Sequence, residues 1–112
     1  MKYIMIFLIF LFIKSDHRIG IGTIYADRFE NRFMANGERF SQHKMVAASN
    51  FYKLGTKVKV INLKNNKEVT VKICDRMAVW TEKKGRIIDL SKSAAKEIGF
   101  TDGLLRVRVE TI

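Results

Sequence analysis

A chain of 112 residues, 47% of them apolar, has the material for one compact domain with one core, and no second folded module fits beside it. The lone cysteine, Cys74, excludes an intramolecular disulfide, and the absence of paired histidine spacing leaves no metal motif, so neither metal nor other cofactor is expected. A net charge of +10 attracts polyanions of any kind, yet no recognition-helix pattern, zinc spacing or run of strand aromatics is present, so nucleic acid is not expected as a partner.

The chain opens with Met1-Lys2, an apolar run from Tyr3 to Ile13 and then Lys14-Ser15-Asp16. At about 1.5 Å rise per residue this run reaches about half of a ~30 Å hydrocarbon core, so no stable membrane span is expected. A positive residue followed by a short apolar stretch is the pattern of a signal peptide or hydrophobic leader, here residues 1–16, which predicts export of the domain over residues 17–112. The leader contains no cysteine that could be acylated.

Strands are predicted over Gly20–Tyr25, Met45–Ser49, Lys57–Asn62, Glu68–Cys74, Ile87–Leu90 and Leu105–Glu110. Alternation is clearest in KVKVIN, VTVKI and RVRVE, where valines face one way and polar residues the other, the patterning of a small barrel. Lys64-Asn65-Asn66-Lys67 reads as a hairpin turn, because asparagine tolerates the positive φ that such turns require. A helix is predicted from Lys92 to Ile98, with Ser91 as its N-cap and Gly99 just beyond its end. A second short helix around Ser41–Lys44 is left open, and the polar stretch Met77–Gly85 reads as a loop forming one wall of any site beside Asp75.

Two apolar runs carry acids at their ends, Val69–Arg76 (VTVKICDR) and Arg86–Ser91 (RIIDLS). An acid in that position sits at the rim of a core, where burial and neighbouring charge tune acidity, which makes Asp75 the first candidate for chemistry; an ion pair with Arg76 or a cap on a loop is the structural alternative. Asn36-Gly37 reads as a turn followed by Glu38. Asp89, at a strand-to-helix junction, reads as structural, Cys74 as a packing residue, and His17 and His43 as surface. Tyr25, Phe51 and Tyr52 read as core, whereas Trp80, in the polar stretch after Asp75, is the aromatic expected to touch a ligand.

The segments GTIYADRF (Gly22–Phe29), ANGERF (Ala35–Phe40), VAAS (Val46–Ser49), LGTKVKVINLKNNKEVTVKICDR (Leu54–Arg76), RIIDLSKSAAKEIGF (Arg86–Phe100) and LLRVRVETI (Leu104–Ile112) occur in an order and spacing similar to the bacterial rare lipoprotein A family. The resemblance implies a mainly β fold, a six-stranded double-psi β-barrel with one or two short helices. It also implies an endolytic lytic transglycosylase, which cleaves peptidoglycan glycan strands between MurNAc and GlcNAc and leaves 1,6-anhydroMurNAc ends. Such an enzyme needs one indispensable acid/base, because the sugar's own C6 hydroxyl attacks C1. By resemblance Asp75 fills that role, first protonating the glycosidic oxygen and then accepting the C6 hydroxyl proton. Glu38 assists, positioning a saccharide or stabilising positive charge at C1, and Asn36, Ser49, Arg76 and Trp80 contact substrate.

Two positions depart from the family pattern. Ser49 stands where active relatives usually carry histidine, and a hydroxyl does not titrate near neutrality. Met77-Ala78 replaces the usual Gly-Pro after Asp75-Arg76. The alternative implied by the same resemblance is a barrel that binds peptidoglycan or a division-site partner without cleaving it. Either way the expected partner is the glycan strand, with removal of its stem peptides left open, met by a monomer in the periplasm or cell envelope.

Overall fold

The computed structural model describes residues 16–112, so the leader expected over residues 1–16 lies, except for Asp16, outside the described residues. Six strands follow: β1 (His17–Ile24), β2 (Val46–Ala48), β3 (Lys57–Asn62), β4 (Glu68–Asp75), β5 (Arg86–Leu90) and β6 (Leu105–Thr111). They close into a barrel in the order β1-β5-β2-β4-β3-β6. Closure pairs every strand on both edges, leaving no open ladder to template aggregation. The pairs β1–β5 and β2–β4 are parallel and the other four antiparallel. Each parallel pair slips in register once, between Ile21 and Gly22 and between Ala47 and Ala48. Such irregularities bend a strand and re-aim its side chains.

The predicted alternation is what fills the barrel. Val58, Val60, Val71, Ile73, Val107 and Val109 are buried from β3, β4 and β6, and Ile88 and Leu90 join them from β5. The helix Lys92–Glu97 packs Ala94 and Ala95 onto this cluster, together with Ile98 and Phe100 beyond it. A second, smaller cluster gathers Tyr25, Met34, Phe40, Val46, Ala48 and Cys74. It ties the long β1–β2 connection to the barrel, with Tyr25 stacked on Phe40 at 4.0 Å between ring centroids.

Several local expectations are refined. The Lys64–Lys67 turn has Asn66 at φ 62, as its composition required. The stretch Met77–Gly85 is not all loop: α1 (Trp80–Lys83) forms a single turn there, with buried Thr81 donating from Oγ1 to the Ala78 carbonyl at 2.6 Å. One turn carries no apolar period, so sequence alone could not show it. Ser41–Lys44 is a turn rather than a helix, and a 3-10 turn occupies Asp27–Phe29. β1 begins at His17, which pairs with Glu110 of β6.

Ser91 caps α2 (Lys92–Glu97) by accepting from the Ala94 amide, and its hydroxyl also donates to the Lys44 carbonyl at 2.6 Å. Its own amide bonds the Val46 carbonyl, so one residue ties helix, β2 and the preceding turn together. Ser91→Ala is expected to lower stability by about 1–2 kcal/mol, read as a shift in the urea unfolding midpoint with an unchanged slope.

Candidate active site

β2 is three residues long and bonded on both edges, to β5 and β4. Its last residue, Ala48, faces Asp89 on one side and Asp75 on the other, while Asp89 in turn faces Thr23 of β1. Thr23, Asp89, Ala48 and Asp75 therefore form one row across four strands. Two inter-strand spacings separate the acids, so their Cα atoms lie roughly 10 Å apart. Both carboxyl groups line a groove of about 310 Å³, whose walls are Thr23 and Tyr25 from the end of β1, Arg28 and Phe29 from the 3-10 turn, and residues 76–78, Trp80 and Thr81 with Arg86.

Asp75 is held by three donors. Tyr25 Oη donates to Oδ2 at 2.6 Å, and the backbone amides of Ala35 and Arg76 donate to Oδ1 at 2.8 and 2.9 Å. Burial, then the hydrogen bond to Asp75, push the Tyr25 phenol far above its usual value, so Tyr25 remains a donor. The alternative of an ion pair with Arg76 is not the arrangement found: the guanidinium turns away and donates to the carbonyls of Ser49 and Tyr52 at 2.7 and 2.6 Å. Arg76 thus braces the chain after β2 and still lines the groove.

The other predicted residues divide between rim and interior. Trp80 is 54% exposed on the groove wall, with the Arg86 guanidinium over its ring at 5.2 Å. Asn36 and Glu38 satisfy each other through Asn36 Nδ2 at 2.7 Å and the Glu38 amide at 3.0 Å, and Glu38 lies 4.0 Å from Lys72. Their loop docks on the site through its backbone, Asn36 N–H to Cys74 carbonyl and Ala35 N–H to Asp75, while neither side chain lines the groove. Ser49 is wholly buried. Its hydroxyl donates to the Ile87 carbonyl at 2.8 Å and accepts from the Phe51 amide; only its backbone N–H reaches Asp75, at the carbonyl. A direct contact between Ser49 Oγ and sugar or the Asp75 carboxylate is therefore not the arrangement found.

The departure at Met77-Ala78 is also accommodated. Asn50 clamps Met77 from both sides, Nδ2 donating to its carbonyl and Oδ1 accepting from its amide, each at 2.9 Å. Among the described residues no group of His, Cys, Asp and Glu gathers that could hold a metal ion, and no helix is long and apolar enough to cross a membrane.

The family model for lytic transglycolase, a double-psi β-barrel domain, matches residues 18–109. The chain belongs to this family. Over 100 residues it is 38% identical to the "Endolytic peptidoglycan transglycosylase RlpA" of Pseudomonas aeruginosa, covering 88% of this chain and 28% of that protein. It is 42% identical over 96 residues to the protein of the same name from Pasteurella multocida, covering 85% and 32%. A "Probable endolytic peptidoglycan transglycosylase RlpA" of a Synechocystis strain is 48% identical over 80 residues, covering 71% and 24%. The chain thus spans about a quarter to a third of the length of these relatives. Among solved structures the Streptomyces papain inhibitor superposes with a TM-score of 0.64 at 17% identity, over 87% of this chain and 94% of that one, a likeness of fold.

Within this family barrel, sequence reasoning passed over Tyr25 and Asp89. Tyr25 was legible as core, and its ring is; the hydroxyl at the strand's end is what reaches Asp75. Asp89 does not cap α2, since Ser91 does; it faces the groove, half-buried. Desolvation pushes its pKa up to about 6, with the nearby Asp75 charge adding to the rise and the Thr23 hydrogen bond and Arg86 opposing it. In the unfolded chain an aspartate titrates near 4, so this group favours folding fully at low pH and loses that contribution as pH rises through about 6. Asp89→Asn is accordingly expected to be more stable than the parent by about 2 kcal/mol at pH 8 and unchanged at pH 4, in paired urea titrations.

Proposed function

We propose that this domain is an endolytic lytic transglycosylase of peptidoglycan, cleaving glycan strands to 1,6-anhydroMurNAc ends, with Asp75 as its essential catalytic carboxylate. The observation that carries the proposal is the preparation of Asp75: a carboxylate lining a groove, fixed by a tyrosine and two backbone amides contributed by three separate segments. Orienting a reacting group before substrate arrives is worth several powers of ten in rate. The chemistry is that of the relatives, which are named endolytic peptidoglycan transglycosylases.

In the proposed reaction a glycan strand lies along the groove with a sugar face on Trp80, and the glycosidic bond sits over the acids. The leaving oxygen is protonated, the C6 hydroxyl of MurNAc attacks C1, and its proton passes to a carboxylate, with no water consumed. Arg28 and Arg86, both on the groove lining, suit a strand stripped of stem peptide, whose lactyl group then carries a free carboxylate. Asn36 and Glu38 act as the outer edge of the site, and Arg76 as its brace. We place the protein in the cell envelope after export, acting as a monomer.

A second reading, a barrel that binds glycan without cutting it, draws on one observation: Ser49 offers no titrating group and is turned inward. Mass spectrometry of peptidoglycan, intact and amidase-stripped, after incubation with the purified protein separates the two. New 1,6-anhydro ends are expected from the parent and at least ~100-fold fewer from Asp75→Asn, which should still sediment with glycan. Binding without new ends would establish the second reading. Tyr25→Phe is expected to lose about tenfold in turnover while keeping glycan binding, because it removes one of three restraints on Asp75 and leaves the ring packing in place.

A further inference from the structure

We propose that Asp89 is the proton donor of this site, the carboxylic acid that protonates the glycosidic oxygen, and that Asp75 is the acceptor of the C6 hydroxyl proton. The proposal rests on the transglycosylase reading and replaces its single acid/base with a pair of carboxyl groups in one row of the barrel wall.

The two acids are built differently. Every hydrogen-bonding neighbour of the Asp75 carboxylate presents a hydrogen: the phenol of Tyr25 and the amides of Ala35 and Arg76. That environment suits a group that begins as an acceptor. Asp89 has one side-chain partner, the Thr23 hydroxyl, at 3.1 Å from Oδ1. The same hydroxyl oxygen lies 3.4 Å from the Ile88 carbonyl. A hydroxyl has one hydrogen and can also accept. Thr23 can therefore donate to Asp89 when it is ionised, or turn its hydrogen to Ile88 and accept from Asp89 when it is protonated. The partner serves both states that a proton donor passes through.

Charge around Asp89 also leaves its proton available. Among the described residues no ion pair involves it. Arg86, on its own strand, stacks over Trp80, and Arg76, after β4, is engaged by the Ser49 and Tyr52 carbonyls. Arg28, also on the groove lining, sits over the Phe29 ring, and the phenol of Tyr25 is spent on Asp75. The charges still acting on it pull in opposite directions: Arg86 favours the ionised form without pairing, and Asp75 disfavours a second negative charge in the groove. Burial acts in the same direction as Asp75, so a population of Asp89 is protonated at near-neutral pH while it still lines the groove.

The step balances without a co-reactant. Asp89 gives its proton to the glycosidic oxygen as the C1–O bond breaks, and the bonding pair leaves with the GlcNAc oxygen as a hydroxyl. The C6 oxygen bonds to C1 and its proton goes to Asp75. Between turnovers Asp75 releases that proton to solvent and Asp89 takes one up. A Cα separation of roughly 10 Å leaves room for a sugar between the carboxyl groups.

A leaving group that needs no proton distinguishes donor from acceptor. The full-length protein, Asp89→Asn and Asp75→Asn are compared on amidase-stripped glycan and on GlcNAc-MurNAc carrying a 2,4-dinitrophenyl leaving group, with 1,6-anhydro product and dinitrophenolate as readouts. Asp89→Asn is expected to lose at least ~100-fold on glycan and to stay within about tenfold of the parent on the activated disaccharide, whereas Asp75→Asn loses activity on both. Glycan turnover by folded Asp89→Asn within a few-fold of the parent overturns the proposal. So does an equal loss on both substrates, which would make Asp89 a positioning residue. A parent that forms no anhydro product from either substrate removes the transglycosylase reading itself. Carbon-13 NMR titration of the Asp89 carboxyl gives a second readout without substrate: a midpoint near 6 is expected, and one at the ordinary aspartate value near 4 overturns the assignment.

Discussion

The site depends on β2, three residues bonded along both edges. Val46, Ala47 and Ala48 are each buried, and their backbone joins the β1–β5 side of the barrel to the β3–β4 side. Because hydrogen-bond register is quantised, fixing Ala48 opposite both Asp75 and Asp89 fixes the two acids relative to each other to within a strand spacing. The slip between Ala47 and Ala48 changes which residues of β4 face β2, so that Ala48 meets Asp75 where an unbroken register would bring Cys74. One displaced residue separates a buried thiol from a carboxylate on the groove.

Packing outside the barrel does the remaining positioning. The cluster of Tyr25, Met34, Phe40, Val46, Ala48 and Cys74 is small, but it anchors the loop whose Ala35 amide reaches Asp75, and it holds the Tyr25 ring so that its hydroxyl points to the same carboxylate. The Asn36-Gly37 turn, with Gly37 at φ 88, brings that loop back on itself. Core packing and the geometry around Asp75 are therefore coupled through a single side chain, and Tyr25 is polar handle and apolar anchor at once.

How much of this was legible followed from the range of each interaction. KVKVIN, VTVKI and RVRVE announced their strands because alternation is local, and Ser91 announced its helix because a cap lies next to what it caps. Asp75 was legible as an acid at the end of an apolar run. Asp89 had the same signature, yet its closeness to Ser91 gave it a structural explanation; only register across β1, β5, β2 and β4 reveals that it shares a row with Asp75. Glu38 and Asn36 show the reverse: their segment lies beside Asp75, but their side chains satisfy each other, and it is the backbone of Ala35 and Asn36 that makes the contacts. Backbone donors carry no residue-type signal, so no sequence pattern could have found them.

The placement of Ser49 bears on how such a site works without an imidazole. Its hydroxyl closes a structural bond to Ile87 at the start of β5, and its amide bonds the Asp75 carbonyl, so the position supports the two acid-bearing strands. A histidine would be needed at the groove if Asp75 and its amides had no other source of protons. The row supplies one, since Asp89 is a carboxyl group that desolvation and a neighbouring negative charge hold near neutrality in its affinity for protons. The cost is folding stability above pH 6, the kind of local penalty a domain sustains where a residue is arranged for reactivity. The charge of Arg86 offsets part of that penalty, but its guanidinium forms no ion pair with Asp89 and rests on the face of Trp80. That cation–π contact leaves the acid unneutralised and braces the exposed ring against which a sugar would stack, so one arginine's choice of partner serves both the acidity and the shape of the groove.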